Sequence, residues 1–160
     1  MVEIIKLDRA DRIILDRLQR DGSQPIADIA AAAGMSTSPC WRRIKLLKER
    51  GVIKGETVLV DRERIGLGFV VYAFVKLDPP NKENMANFET LMADSPAVTL
   101  VEMITGNVDY LIRVVTEDMH AYDSFLRDTL LARGIISDVQ SHIVLSTTKE
   151  STILPMPKVA

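Results

Sequence analysis

The sequence predicts an α+β chain built from two dissimilar parts, a small all-helical unit followed by a βαββαβ unit. Three observations predict it. Apolar residues recur at helical spacing through the first 55 positions, the pattern from Phe69 onward switches between strand and helix, and the charge divides at the same place. Residues 1–55 hold 11 Lys and Arg against 7 Asp and Glu, whereas residues 56–160 hold 9 against 15, so a net +4 part is joined to a net −6 part. The chain has 160 residues, 47% of them hydrophobic and 26% charged, enough to bury a core and unlike a disordered chain. The longest apolar run, Phe69 to Val75, is far short of the roughly 20 residues a membrane helix needs, and Met1 to Lys6 lacks a signal-peptide stretch. A soluble cytoplasmic protein with no membrane partner is expected. A single cysteine, Cys40, excludes an intrachain disulfide and a cysteine-based zinc cage, and neither a metal nor another cofactor is expected.

The first helix is predicted over about Asp8 to Arg20, with Ile14, Leu15 and Leu18 as its apolar stripe and Asp11 placed to answer an N-cap from the third helical position. Asp21-Gly22-Ser23 is a turn. Ile26, Ile29, Ala30 and Ala33 make a short second helix that Gly34 stops. Ser36 is placed to cap a third helix, about Thr37 to Arg50, with Pro39 harmless in its first turn and Gly51 ending it. At 100° per residue, Cys40, Ile44 and Leu47 share one face of that helix, and Ser38, Arg42, Lys45 and Glu49 the opposite one. Ser36 to Gly55 also carries Arg43, Lys48, Arg50 and Lys54, with only Glu49 opposing. Three helices with a Gly-containing turn before a basic last helix form the winged-helix-like helix-turn-helix pattern, whose last helix enters a major groove. Double-stranded DNA is the partner this predicts. Thr37, Ser38, Arg42 and Lys45 are placed to face bases or phosphates, Arg43, Lys48 and Lys54 to contact mainly the backbone, and Trp41 flanks the outward face.

Glu56 to Val60 reads as an extended hinge strand, and Asp61 to Gly68 completes a linker over 56–68 between a first domain at 1–55 and a second at 69–160. The second domain is predicted as strand Phe69 to Leu77, helix Lys82 to Asp94, strand Val98 to Ile104, strand Asp109 to Val115, helix Met119 to Ala132 and strand Ser137 to Leu145, the ferredoxin-like order. Met85, Met92, Met103 and Met119 are assigned to its core. That order leaves one sheet face without helices, yet Val70, Val71, Phe74 and Val75, and Leu111, Ile112, Val114 and Val115, are apolar on both faces. The same face of a second copy is the economical cover, so a homodimer is expected.

Thr105-Gly106-Asn107-Val108-Asp109-Tyr110 combines a glycine, a carboxylate and a hydroxyl, the features that recognise an amino acid; it reads equally as a hairpin turn whose Asp bonds locally. Catalysis has no constellation: His120 and His142 lie on separate elements, no phosphate loop or nucleophile elbow appears, and Cys40 is on a packed face. The chain is therefore not expected to be an enzyme. A ligand-independent architectural DNA protein and an amino-acid-binding enzyme regulatory subunit are the rival readings.

Leu7-Asp8-Arg9-Ala10-Asp11 with Ile14-Leu15, Gly34 to Ile44 with Leu47, Gly51-Val52-Ile53, Gly106 to Ile112, Phe125-Leu126 and a closing Lys149 with Leu154-Pro155 together resemble the Lrp/AsnC, or feast/famine, transcriptional regulators over nearly the whole chain. The resemblance implies a DNA-binding regulator with an N-terminal helix-turn-helix, a hinge strand and a ferredoxin-like effector domain that forms dimers and often octamers. It implies a small-molecule effector, an amino acid, bound between dimers against the loop matched here by Thr105, Gly106, Asn107, Asp109 and Tyr110 and the segment matched by Ser137 to Ser141, with Asp138 and Ser141 as candidates. Ser23 and Gln24 depart from the family's usual Arg and apolar residue, Pro25 stands where a capping Ser or Thr is common, and Asn107-Val108 departs from the usual acidic or aromatic residues.

Overall fold

The computed structural model describes residues 4–157, which fall into two compact units: one holds the residues up to Leu59 together with those from Lys149, and the other is Val60–Thr148.

The first unit contains α1 (Arg9–Arg20), α2 (Ile26–Ala32) and α3 (Thr37–Glu49). Asp8 caps α1, accepting from the Asp11 backbone N–H while the Asp11 carboxylate accepts from the Asp8 N–H, a reciprocal capping box. Ser36 stands at the N-cap of α3, but its side chain makes no capping bond, contrary to expectation. The tight turn into α3 depends on Gly34, whose φ of +69° favours a residue without a Cβ. Ile14, Leu15, Ile29, Ala30, Cys40, Ile44 and Leu47 form one buried cluster, with Val52 and Ile53 packed against it.

The C-terminal segment departs from the expected domain limits. Residues from Lys149 belong with the first unit, not with 69–160, because Met156 packs on the helical core and Gln19 of α1 holds Leu154 through both backbone groups. The Gln19 amide N donates to the Leu154 carbonyl at 3.2 Å, and its carbonyl accepts the Leu154 N–H at 2.8 Å. Glu56 to Val60 does not form the expected hinge strand either, and Val58, Leu59 and Val60 are exposed.

The second unit orders β1 (Phe69–Leu77), α4 (Lys82–Ala93), β2 (Val98–Met103), β3 (Tyr110–Thr116), α5 (Met119–Phe125) and β4 (Ile136–Ile143). The strands lie in the order β2-β3-β1-β4 with every pair antiparallel, the expected ferredoxin-like arrangement. β1 sits in the middle, and Val71, Ala73, Val75 and Leu77 alternate onto the face that packs Phe88 and Met92 of α4 and Tyr122 and Phe125 of α5. The second helix is not one α-helix to Ala132: after Phe125 it widens to a π-turn at Leu126–Leu130 and tightens to a 3-10 turn at Leu131–Arg133, keeping Leu130 buried. Met119 and Met103 are also corrections, since both are well exposed: Met119 is the first residue of α5 and Met103 the last residue of an edge strand.

On the sheet face away from these helices, Val70 pairs with Val115, Tyr72 with Arg113 and Phe74 with Leu111. Val70 and Val115 are buried, and Tyr72, Phe74 and Leu111 are half-buried, an apolar centre on the face expected to meet a second copy.

Gln19→Ala removes both bonds to Leu154 and is expected to destabilise the first unit by about 1 kcal/mol, the net worth of hydrogen bonds of this kind. Hydrogen exchange of α1 amides should quicken by about fivefold; unchanged protection would show that the C-terminal segment does not brace this helix.

Candidate nucleic-acid interface and effector site

The third helix is oriented by what it buries. Cys40 is fully buried, and Ile44 and Leu47 are nearly so. These three lie on one side, so the opposite side must face outward. Ser38, Arg42, Lys45 and Glu49 occupy that side and are exposed, as is Thr37 at the helix start. Burial also pushes the Cys40 thiol above its usual pKa, consistent with a packing role and not with a nucleophile.

Arg43 fixes α3 to the start of α1. One of its terminal nitrogens donates to Asp8 and to Asp11, each at 2.7 Å, so the two carboxylates that build the capping box also hold the neighbouring helix. The Asp8 carboxyl is held below the usual carboxylate range, first by the Asp11 backbone N–H and then by the Arg43 guanidinium. Arg43 is thus engaged within the unit, where the sequence reading put it on the DNA backbone.

The remaining cations differ in their surroundings. Lys48 pairs with Glu56 at 2.7 Å, and Lys45 approaches Glu49 at 3.8 Å while its ammonium lies 5.7 Å from the centre of the Trp41 ring. Trp41 is 54% exposed, an unusual position for an indole. Arg42, Arg50, Lys54 and Lys6 are exposed and have no carboxylate partner among the described residues. Lys6 and Arg50 were not among the candidates drawn from sequence. Helix projection could have found Arg50, which lies eight residues beyond Arg42 on the same row; Lys6 carried no signal, because it precedes every predicted element.

In the second unit the loop after β2 turns at Gly106, whose φ of +131° favours glycine and whose missing side chain leaves open space. Thr105, Gly106 and Asn107 are exposed there. Asp109 bonds locally: its carboxylate accepts the Leu77 N–H at 2.8 Å, and its own N–H donates to the Val75 carbonyl at 2.9 Å. Asp138 pairs with Lys76 across the other edge of β1, so Asp109 and Asp138 flank the same C-terminal end of that strand.

The other two candidates point elsewhere. Tyr110 is a core residue, 1% exposed, packed on Phe88 with ring centres 4.6 Å apart, and its hydroxyl donates to Glu89 at 2.7 Å. Burial and the Glu89 carboxylate raise its pKa, so its hydroxyl is committed to the helix layer and not to the loop surface. Ser141 lies opposite Ala73 in mid-strand and hydrogen-bonds the Tyr122 hydroxyl at 2.5 Å on the same layer. Among the described residues no group of three or more His, Cys, Asp or Glu is placed to hold a metal ion, and no helix is long and apolar enough to cross a membrane.

Comparison with known proteins bears on both units. Residues 7–54 match the winged helix-turn-helix DNA-binding family model, and residues 70–154 match the Lrp/AsnC ligand binding domain. The chain belongs to the Lrp/AsnC family. It is 35% identical over 155 residues to a glutamate uptake regulatory protein of Zymomonas mobilis, covering 97% of this chain and 94% of that one. It is 34% identical over 150 residues to the DNA-binding transcriptional activator DecR of Escherichia coli, covering 94% and 99%. A Neisseria meningitidis transcriptional regulator solved as a complex with L-Met superposes with a TM-score of 0.89 at 32% identity, covering 94% of this chain and 97% of that one. This Lrp/AsnC protein is accordingly a DNA-binding transcriptional regulator with a ligand-binding second unit.

The Arg43 bracket gives a pH-dependent expectation. The Asp8 pKa is lower folded than unfolded, so its contribution is full above the ordinary carboxylate value near 3.9 and is lost as pH falls through the lowered folded value. Arg43→Ala should therefore cost up to about 1 kcal/mol at neutral pH, the scale of a partly exposed ion pair, and less once the pH has fallen far enough to protonate Asp8 in the folded protein. Thermal unfolding of both proteins from neutral to acidic pH measures it; an equal difference at both ends would mean that the loss does not come from pairing with the ionised Asp8 carboxylate.

Proposed function

We propose that the protein controls transcription in response to an amino acid by holding α3 in the major groove, with Thr37, Ser38, Arg42 and Lys45 facing base edges or phosphates. Trp41 supports Lys45 through the ring face, and Lys48 and Lys54 add backbone contacts. Arg43 acts by fixing the angle of α3 through Asp8 and Asp11. The observation that carries this reading is the orientation of α3: its apolar stripe is buried and its basic, hydroxyl-bearing side is exposed.

An amino acid is the effector class favoured by the Neisseria relative's L-Met complex and by the open glycine turn beside a carboxylate. Thr105, Gly106, Asn107 and Asp109 make one wall, and Asp138 stands at the same end of the sheet. In this reading Tyr110 supports the wall from the core, and Ser141, exposed on β4, acts through its bond to the Tyr122 hydroxyl. The functional unit is a homodimer joined through the apolar sheet face, with dimers assembling further, octamers included, and acting on cytoplasmic DNA. Effector control is then a shift between assemblies, no larger than the amino acid's difference in affinity for them.

A DNA-shift assay on the fragment upstream of the protein's own gene, run with and without each of the twenty amino acids, tests both units together. At least one amino acid should change the affinity by fivefold or more, which corresponds to about 1 kcal/mol of coupling. Asp109→Asn keeps an acceptor for the Leu77 N–H but loses the charge, and should reduce that response to less than twofold. A parent-like response in Asp109→Asn would displace the effector from this loop. Light scattering at micromolar concentration should give a dimer or larger; a strict monomer would remove the sheet-face interface.

A further inference from the structure

Between the segment preceding α1 and the flank of α3 lies a cleft of about 410 Å³. Its lining includes three exposed cations, Lys6, Arg42 and Arg50, beside the apolar side chains of Ile5, Pro39 and Leu46. Arg42, Leu46 and Arg50 succeed one another at four-residue intervals, a single row along α3 about 12 Å long.

The only acid in the lining is Asp11, and both of its oxygens are spent: Oδ1 accepts from Arg43 at 2.7 Å and Oδ2 from the Asp8 N–H at 3.2 Å. The side chains of the cleft therefore offer mainly donors and positive charge, the one carboxylate being already engaged by Arg43 and the Asp8 N–H. That chemistry suits an anion with an apolar portion.

The charge distribution along α3 adds a second argument. Lys45 and Lys48 have Glu49 and Glu56 as neighbours, whereas Arg42, Arg50 and Lys6 have no carboxylate partner among the described residues. Three of the unpaired cations thus line the cleft, where they can neutralise phosphates and release the counterions condensed on the duplex.

We propose that this cleft seats a phosphodiester of the DNA backbone, with Lys6 and Arg50 joining Arg42 as phosphate contacts and the apolar residues lying against a deoxyribose. The assignment rests on α3 being the DNA-binding helix. It adds a strand-tracking contact beside the groove-facing side and explains why the cations of this flank are left unneutralised. Contacts of this kind fix orientation on the duplex and carry no sequence information themselves.

Fluorescence anisotropy of the full chain on a duplex, titrated over a series of KCl concentrations, tests the seat. Lys6→Gln and Arg50→Gln should each flatten the log–log salt slope by about 0.9, and the double variant by about 1.8, equally on the target and on an unrelated duplex. Lys6→Arg and Arg50→Lys should restore the parent slope. Parent slopes in both Gln variants, with Arg42→Gln and Lys45→Gln still weakened, would overturn the seat and leave α3 as the DNA-binding helix. Parent-like binding by Arg42→Gln and Lys45→Gln would instead overturn that underlying reading. If Arg50→Gln does not fold, the Lys6→Gln slope decides alone. Inorganic phosphate titrated against the DNA-free protein distinguishes the other source of the same chemistry: saturable thermal stabilisation lost in Lys6→Gln, with salt slopes unchanged, would make this a free-phosphate site and overturn the proposal.

Discussion

Burial of Cys40, Ile44 and Leu47 against α1 and α2 is the constraint on which the first unit depends. Three apolar residues at positions i, i+4 and i+7 fix the roll of α3 about its own axis, and the roll alone decides which side chains can reach a duplex. A buried apolar side chain is worth about 1.5–3 kcal/mol, whereas an exposed ion pair is worth about 1 at most, so the stripe dominates and the charges follow. The Arg43 bracket refines this by tying α3 to the start of α1, and through the shared carboxylates it couples the cap of one helix to the angle of another. Arg43 and Asp11, two members of that bracket, also line the cleft beside Lys6.

The second unit follows a different logic. Its central strand β1 is committed on one face to the helix layer, through Val71, Ala73, Val75 and Leu77, and presents Tyr72 and Phe74 on the other. A four-stranded sheet with apolar residues on both faces gains from association, while its loops at the end of β1 remain available for a ligand. Asp109 has a structural task of its own: one carboxylate oxygen closes the end of β1 by accepting the Leu77 N–H.

Much of this was legible in the sequence because the signals were local. Helix limits came from Asp8, Gly34 and Gly51, the outward side of α3 from simple projection, and the βαββαβ order from period-2 and period-3.6 spacing, within a residue or two at most ends. What escaped was non-local. The partners of Arg43 lie 32 and 35 residues away, and Gln19 meets Leu154 at a separation of 135, distances over which spacing carries no information. The Gly106 motif suggests Tyr110 as a hydroxyl offered to a ligand at a strand edge, yet strand alternation from Ile112 and Val114 turns it into the core. The bond between Ser141 and the Tyr122 hydroxyl is likewise non-local, set by the register of Ser141 with Ala73 and not by its neighbours in sequence. The π-turn after Phe125 leaves no mark in apolar spacing, since Leu126 and Leu130 satisfy an α-helical pattern equally well.

The most direct measurement of the central claim is a structure of the full-length protein on its operator duplex. The account requires α3 in the major groove, with Ser38 and Arg42 within hydrogen-bond reach of base edges or phosphates and Cys40, Ile44 and Leu47 still enclosed. A duplex held by other elements, with the Arg42 side of α3 facing solvent or another protein surface, would contradict it.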